Sequence, residues 1–197
     1  MRSLRRFLDT ARGDLLEALY VLAVTTGMRR GELLGLHWRD VNLNQGTLQV
    51  RYTLQQGGVL GEPKTAKARR QIDLTSLAVE ALQRHRILQL KALYEAGENW
   101  METDFVSTNA RGNYVDPDNM QHRSFGPLLR RAGLRKIRFH DLRHTAATLL
   151  LAIDTRPKVV QELLGHSQIA VTMDVYSHVL PTMQHEAMNG LDKLLRG

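Results

Sequence analysis

From Gly46 the apolar residues of this 197-residue chain fall at every second position, and by Thr75 they have returned to helical spacing. Thr47-Leu-Gln-Val-Arg-Tyr-Thr-Leu alternates, Gln55-Gln-Gly-Gly turns, Val59-Leu-Gly-Glu returns, and Arg70-Gln-Ile-Asp-Leu alternates again. These runs predict three short strands in one small antiparallel sheet. Helical patterns lie on both sides of them, and no internal repeat, low-complexity tract or linker divides the chain. The economical fold is one domain, mainly α with a small three-stranded antiparallel sheet. With 43% apolar residues the chain has enough material for a core.

The helical patterns can be placed in order. Residues 14–25 set Leu15, Leu19, Val21 and Leu22 on one face and end at Thr26-Gly27. Residues 28–40 read as a second helix with Leu33, Leu34 and Leu36 inward, and Arg29 and Glu32 three apart in its first turn. Thr75 or Ser76 caps a long helix over about 77–95, closed by Gly97. Asp104-Phe-Val-Ser-Thr reads as a short strand and Asn109-Ala-Arg-Gly-Asn as a turn. Asp116-Pro-Asp opens a helix with a capping carboxylate and proline at its first position, ending at Ala132-Gly133. Further helices are predicted over 141–152, 157–164 with Gly165 as its stop, and 169–176. Residues 181–195 carry Met183, Met188, Leu191 and Leu194 at helical spacing, a face for this body or for a neighbour's.

Lys and Arg number 27 against 20 Asp and Glu, a net charge of +7 that favours a polyanionic partner. The placement is more telling than the total. Pro63-Lys-Thr-Ala-Lys-Ala-Arg-Arg places Lys64, Lys67, Arg69 and Arg70 on a hairpin tip with no acid among them, suited to reaching a groove or a phosphate. A solvated edge guarding against aggregation is the plainer explanation of such a tip. Between Arg111 and Arg143 stand eight Lys and Arg, including Arg123 and Arg138, against Asp116, Asp118 and Asp141. Cysteine is absent, which excludes a disulfide scaffold, a thiol nucleophile and a thiolate zinc site. No window reaches the roughly 18 apolar residues of a membrane span, and Met1-Arg-Ser-Leu-Arg-Arg lacks a signal-peptide core, so a cytoplasmic location is expected.

The basic region leads into the most chemically loaded stretch. His140 and Arg143 share a helix face, His166 follows in Leu-Leu-Gly-His-Ser, and Tyr176 stands ten residues later. A guanidinium, two imidazoles and a phenol in this order suggest covalent phosphoryl transfer. His144, four residues after His140, has a metal-ligand spacing, but the intervening Arg143 puts a cation beside the site and no cysteine or nearby glutamate completes it. No metal is expected. His144 and His178 are read as structural, His37-Trp38 as packing against the sheet, and Trp100 as a loop anchor.

Five motifs in sequence carry a resemblance: Thr-Gly-Met-Arg-Arg-Gly-Glu-Leu (26–33), Lys64 in its hairpin, His-Asp-Leu-Arg-His-Thr (140–145), Leu-Leu-Gly-His-Ser (163–167) and Tyr-Ser-His-Val (176–179). Together they resemble the catalytic domain of the tyrosine recombinases, the phage integrase family, and look most like integrases of temperate phages and conjugative transposons. The resemblance spans roughly residues 10–180. It implies Arg29 and Arg143 as the two catalytic arginines, Lys64 as the hairpin lysine, His140 and His166 as the two imidazole positions and Tyr176 as the nucleophile. Glu32 resembles a supporting acid, and Lys67, Arg69, Arg70, Arg123 and Arg138 are expected to contact DNA.

The implied activity is cleavage and rejoining of double-stranded DNA through a 3′-phosphotyrosine, without metal, ATP or other cofactor, in assemblies formed on DNA. Two alternatives share the charge pattern: strand relaxation like that of a type IB topoisomerase, and a non-catalytic DNA-binding fragment. Full-length members resemble chains with core-binding and arm-binding domains ahead of the catalytic one. The expectation for 1–197 is the catalytic domain alone, with a leading segment 1–12, a core 13–180, a tail 181–197 and weak DNA affinity.

Overall fold

The computed structural model describes residues 1–62, 69–165, 168–177, 188–189 and 191–196, with the backbone alone for residue 171 and residues 175–177. Its centre is a helix, α2 (Glu17–Thr26), in which every residue but Thr25 is buried. The sequence EALYVLAVTT is apolar nearly all round, the pattern of a helix enclosed by others. Around it pack α1 (Arg2–Ala11), α3 (Arg30–Leu34), α4 (Ser76–Ala96) and α7 (Asp141–Ala152).

The expected leading segment is thus a helix. Leu4, Phe7, Leu8 and Ala11 recur at helical spacing and turn one side of α1 inward. There Phe7 meets Tyr20 and Phe125 edge-on, at ring-centroid distances of 5.6 and 5.9 Å. The predicted second helix is shorter than residues 28–40. It stops at Gly35, and a turn of 3-10 helix, Trp38–Asp40, leads into β1 (Val41–Asn42).

A three-stranded antiparallel sheet forms, as expected, but with a different third member. Its order is β1, β2 (Thr47–Val50), β5 (Arg70–Asp73). The returning run at 59–62 instead supplies β4 (Leu60–Gly61), which pairs with β3 (Thr53–Leu54) in a separate hairpin. The physical reason is the tight turn after Asn42, whose side chain accepts from the Gln45 amide at 2.9 Å and folds β1 directly onto β2. The predicted strand at 104–108 is reduced to isolated bridges, His37 to Phe105 and Thr108 to Tyr114.

Thr75 caps α4, accepting from the Ala78 amide at 3.2 Å. Asp116 caps α5 (Pro117–Asn119), which runs through a wide π turn, Met120–Phe125, into α6 (Gly126–Arg131). A second, smaller apolar cluster of Ala147, Leu151, Val160 and Leu164 joins α7 to α8 (Pro157–Leu164). The chain then enters α9 (Ile169–Ser177). Lys64, Lys67 and His166 lie outside the described residues, as does most of the segment 178–190.

Candidate active site

The site begins where α2 stops. Gly27 adopts a left-handed conformation, φ 61°, and a Cβ there would overlap Leu164 and press on Ala146. Only glycine lets the turn lie against both α7 and α8. The chain then swings Arg29 to the N-cap of α3, and Glu32 closes back on it: Oε2 accepts from the Arg29 amide at 3.0 Å and Oε1 from Arg29 Nη1 at 2.8 Å. The second terminal nitrogen of Arg29 donates to the Gly165 carbonyl at 2.8 Å, beyond the end of α8. Arg29 remains partly open to solvent, its side chain 41% exposed, whereas Glu32 is enclosed at 2%.

Arg143 approaches from α7. The residue is 5% exposed, and its Nη1 donates to the Gly27 carbonyl at 2.7 Å. Its Nη2 is buried and has no hydrogen-bond partner among the described residues. Burial, followed by the positive charge of Arg29, pushes the pKa of this guanidinium down to about 9, opposed in part by Glu32 and reinforced by Arg70. At neutral pH it is a buried cation whose Nη2 group has no partner among the described residues.

His140 stands at the N-cap of α7, partly open to solvent, in edge-to-face contact with His144 at 5.1 Å. Burial, then the charges of His144, Arg143 and Arg138, hold its pKa below 6.5 against the pull of Asp141. It is therefore neutral at pH 7 and able to accept a proton. The π turn helps place it, for Gln121 Oε1 accepts from the Phe139 amide at 3.3 Å. In front of His140 lies a cleft of about 870 Å³, lined by Arg30, Gln121, His122, Arg135, Lys136 and Arg138 among others. Arg30 and His122 are additions that no motif of their own marks in the sequence. The helix-start position of Arg30, beside Arg29, was the available signal.

The expected DNA-contacting arginines divide. Arg138 lines the cleft, its side chain 80% exposed and paired with Asp141 at 3.0 Å. Arg69 is exposed and paired with Glu62. Arg123 is exposed over a different cleft, with Leu15, Asn109 and Tyr114. Arg70 departs from the expectation of a DNA contact. Its side chain is 8% exposed, Nε donates to the Leu163 carbonyl at 2.7 Å, and Nη2 donates to Glu32 Oε2 at 3.1 Å. Strand parity is the reason. Arg70 shares a face of β5 with Ile72, which is 2% exposed, so its side chain points inward. The same alternation was readable in Arg70-Gln-Ile-Asp-Leu.

A family model described as the phage integrase family matches residues 3–183. The chain belongs to the phage integrase family. One curated relative is a tyrosine recombinase XerC-like protein of Caldanaerobacter subterraneus, 34% identical over 97% of this chain. The chain spans about half the length of the curated relatives it matches, 52% in that case. Among solved structures, that of XerA recombinase superposes with a TM-score of 0.74 at 25% identity, covering 96% of this chain and 61% of the other. The XerH site-specific recombinase bound to palindromic difH substrate, a post-cleavage complex, superposes with a TM-score of 0.68 at 25% identity, covering 95% and 51%.

In this phage integrase family domain the described site unites Arg29, Glu32, Arg70, Arg143 and the C-terminal end of α8. Tyr176 falls in α9, which packs against α7 and α8. Among the described residues no three His, Asp or Glu side chains are grouped as a metal would require. None of the helices there is long and apolar enough to cross a membrane.

Proposed function

We propose that this chain is the catalytic domain of a site-specific DNA strand transferase that cleaves and rejoins duplex DNA through a 3′-phosphotyrosine on Tyr176. The observation that carries this reading is Arg143, a buried guanidinium held at one end by the Gly27 carbonyl and without a partner at the other among the described residues. Keeping an unmatched buried cation is costly unless an anion completes it. Beside it Arg29 offers a second planar fork, and two such forks suit the paired non-bridging oxygens of a phosphodiester.

The chemistry follows from those parts. The Tyr176 oxygen attacks phosphorus, the P–O5′ bond breaks, and the strand remains on the phenol through its 3′-phosphate. The phenolic proton passes to a neutral imidazole, His140 or His166, and Lys64 protonates the departing 5′ oxygen. Arg29 and Arg143 stabilise the charge that accumulates on the non-bridging oxygens in the pentavalent transition state. Because the new ester keeps the bond energy, a 5′-hydroxyl can reverse the step without ATP. Relatives named as recombinases, one of them bound to a palindromic difH substrate in a post-cleavage complex, support this reading. It includes duplex DNA as partner, Arg69 and Arg138 as contacts to it, and residues 181–197 as a tail available for assembly on DNA.

The test is a duplex carrying a 5′-bridging phosphorothiolate within the junction sequence of the element that encodes the chain, whose thiol leaving group needs no proton and traps the adduct. Wild-type protein forms a covalent complex and Tyr176→Phe forms none. An adduct of equal yield with Tyr176→Phe would remove Tyr176 as the nucleophile.

A further inference from the structure

We infer that Arg70 is a positioning residue of the strand-transfer site, which shares Glu32 with Arg29 so that Arg29 keeps its charge for the scissile phosphate. The inference rests on the strand-transfer reading and goes beyond it, since the Arg70 side chain is enclosed, 8% exposed, against Glu32 and the end of α8.

The geometry is a divided carboxylate. Glu32 Oε1 accepts from Arg29 Nη1 at 2.8 Å and from Arg70 Nη1 at 3.4 Å. Glu32 Oε2 accepts from the Arg29 amide at 3.0 Å and from Arg70 Nη2 at 3.1 Å. Burial alone raises the pKa of this carboxyl, yet Arg70 and then Arg29 bring it below its ordinary value, so it is ionised. A lone Glu32 carboxylate would neutralise Arg29, leaving Arg143 to face the phosphate alone. With Arg70 present, three cations stand against one carboxylate. The surplus of two positive charges matches the two negative charges of a phosphodiester under attack by a phenolate.

A second observation ties Arg70 to the same task. Its Nε donates to the Leu163 carbonyl, and Arg29 donates to the Gly165 carbonyl, so both arginines grip the C-terminal end of α8. Gly165 has φ 68°, and a Cβ there would stand 2.8 Å from Arg70 Nη1 and 3.1 Å from its Cζ. The glycine of the Leu-Leu-Gly-His motif suits the left-handed turn, and a side chain there would crowd the guanidinium lying on it. The fold sets Glu32, Arg29 and the segment entering His166 in register through one buried side chain.

Single-turnover cleavage of the phosphorothiolate duplex, at saturating DNA, tests the assignment. Arg70→Gln slows cleavage about 30-fold while DNA affinity changes less than about threefold, because the transition state loses more than the ground state. Arg70→Lys keeps a cation beside Glu32 and stays within about tenfold of wild type. Adding Glu32→Gln to Arg70→Gln removes the carboxylate that Arg29 must otherwise neutralise, and recovers cleavage at least about threefold. A double variant no faster than Arg70→Gln, or Arg70→Lys as slow as Arg70→Gln, overturns the charge-sharing role. So does wild-type cleavage by Arg70→Gln in a preparation whose wild-type protein forms the Tyr176 adduct. Absence of any adduct from wild-type protein would instead defeat the strand-transfer reading itself.

Discussion

In the proposed strand transfer, Arg143 sets stability against activity within a single side chain. Its Nη1 is matched by the Gly27 carbonyl, but its Nη2 is buried without a partner among the described residues, and its charge is repelled by Arg29. Replacing it with methionine removes the buried charge and keeps most of the volume. The Gly27 carbonyl then loses its donor, a cost of about 1 kcal/mol. Relief from burying an incompletely paired cation is of similar size or larger. Arg143→Met is expected to unfold at the same denaturant midpoint as wild type or higher, while adduct formation falls at least about 100-fold. A loss of stability of about 3 kcal/mol or more would mean that Arg143 belongs to the scaffold, its unmatched nitrogen notwithstanding.

At the scale of elements, Arg29 is positioned by how closely α3 sits on β3. A Cβ on Gly31 would overlap Thr53 Oγ1 and stand 2.8 Å from the Leu54 carbonyl oxygen; one on Gly35 would stand 2.9 Å from the Leu54 amide nitrogen. Backbone cannot give way as a flexible side chain can, so Gly31→Ala must lift α3 from the hairpin. The expected result is a loss of about 1–3 kcal/mol in unfolding free energy together with a fall in cleavage, as Arg29 moves away from the Gly165 carbonyl and the phosphate. Cleavage at the wild-type rate by folded Gly31→Ala protein would show that α3 need not be seated on β3. The two glycines stand four apart in Gly-Glu-Leu-Leu-Gly, and the sequence displayed them without their reason. The helices with caps and stops were readable because Thr75, Asp116 and Gly165 act on their own neighbours. β1 was not, since two residues carry no period and a turn selected its partner. In α1, arginines at 2, 5, 6 and 12 obscure the spacing of Leu4, Phe7, Leu8 and Ala11. Arg29, Glu32 and Arg143 stand in legible motifs, whereas Arg70 ends a charged run that hides it. Its buried placement depends on strand parity and on a helix end ninety-three residues away.

For the molecule as a whole, the response to acid follows from where its histidines lie. His37 and His85 are 5% and 4% exposed, and burial lowers the pKa of each below 6.5. Arg39 reinforces the effect at His37, against Asp104 and Asp40, while the Val106 carbonyl and Glu17 oppose it at His85. His140 shifts the same way, with a smaller effect on stability because the residue is partly open to solvent. In the unfolded chain these rings take up protons as the pH falls through about 6.5, whereas in the folded protein they stay neutral to lower pH. The unfolded state therefore binds more protons in that window, and stability rises with pH, by up to about 1.4 kcal/mol per pH unit for each buried histidine. Glu17 and Glu32, both lowered from 4.5 despite burial because of their arginine partners, add stability above that value and lose it only at more acid pH. Acid sensitivity should thus arrive in two stages, histidines first and carboxylates after. Denaturant midpoints measured from pH 5 to 8 are expected to climb and then level off near neutrality. His85→Gln, which suits a helical position and offers an amide donor to the Val106 carbonyl, should flatten the climb. A midpoint constant across that range, or a slope unchanged by His85→Gln, would show that the buried imidazoles do not control it.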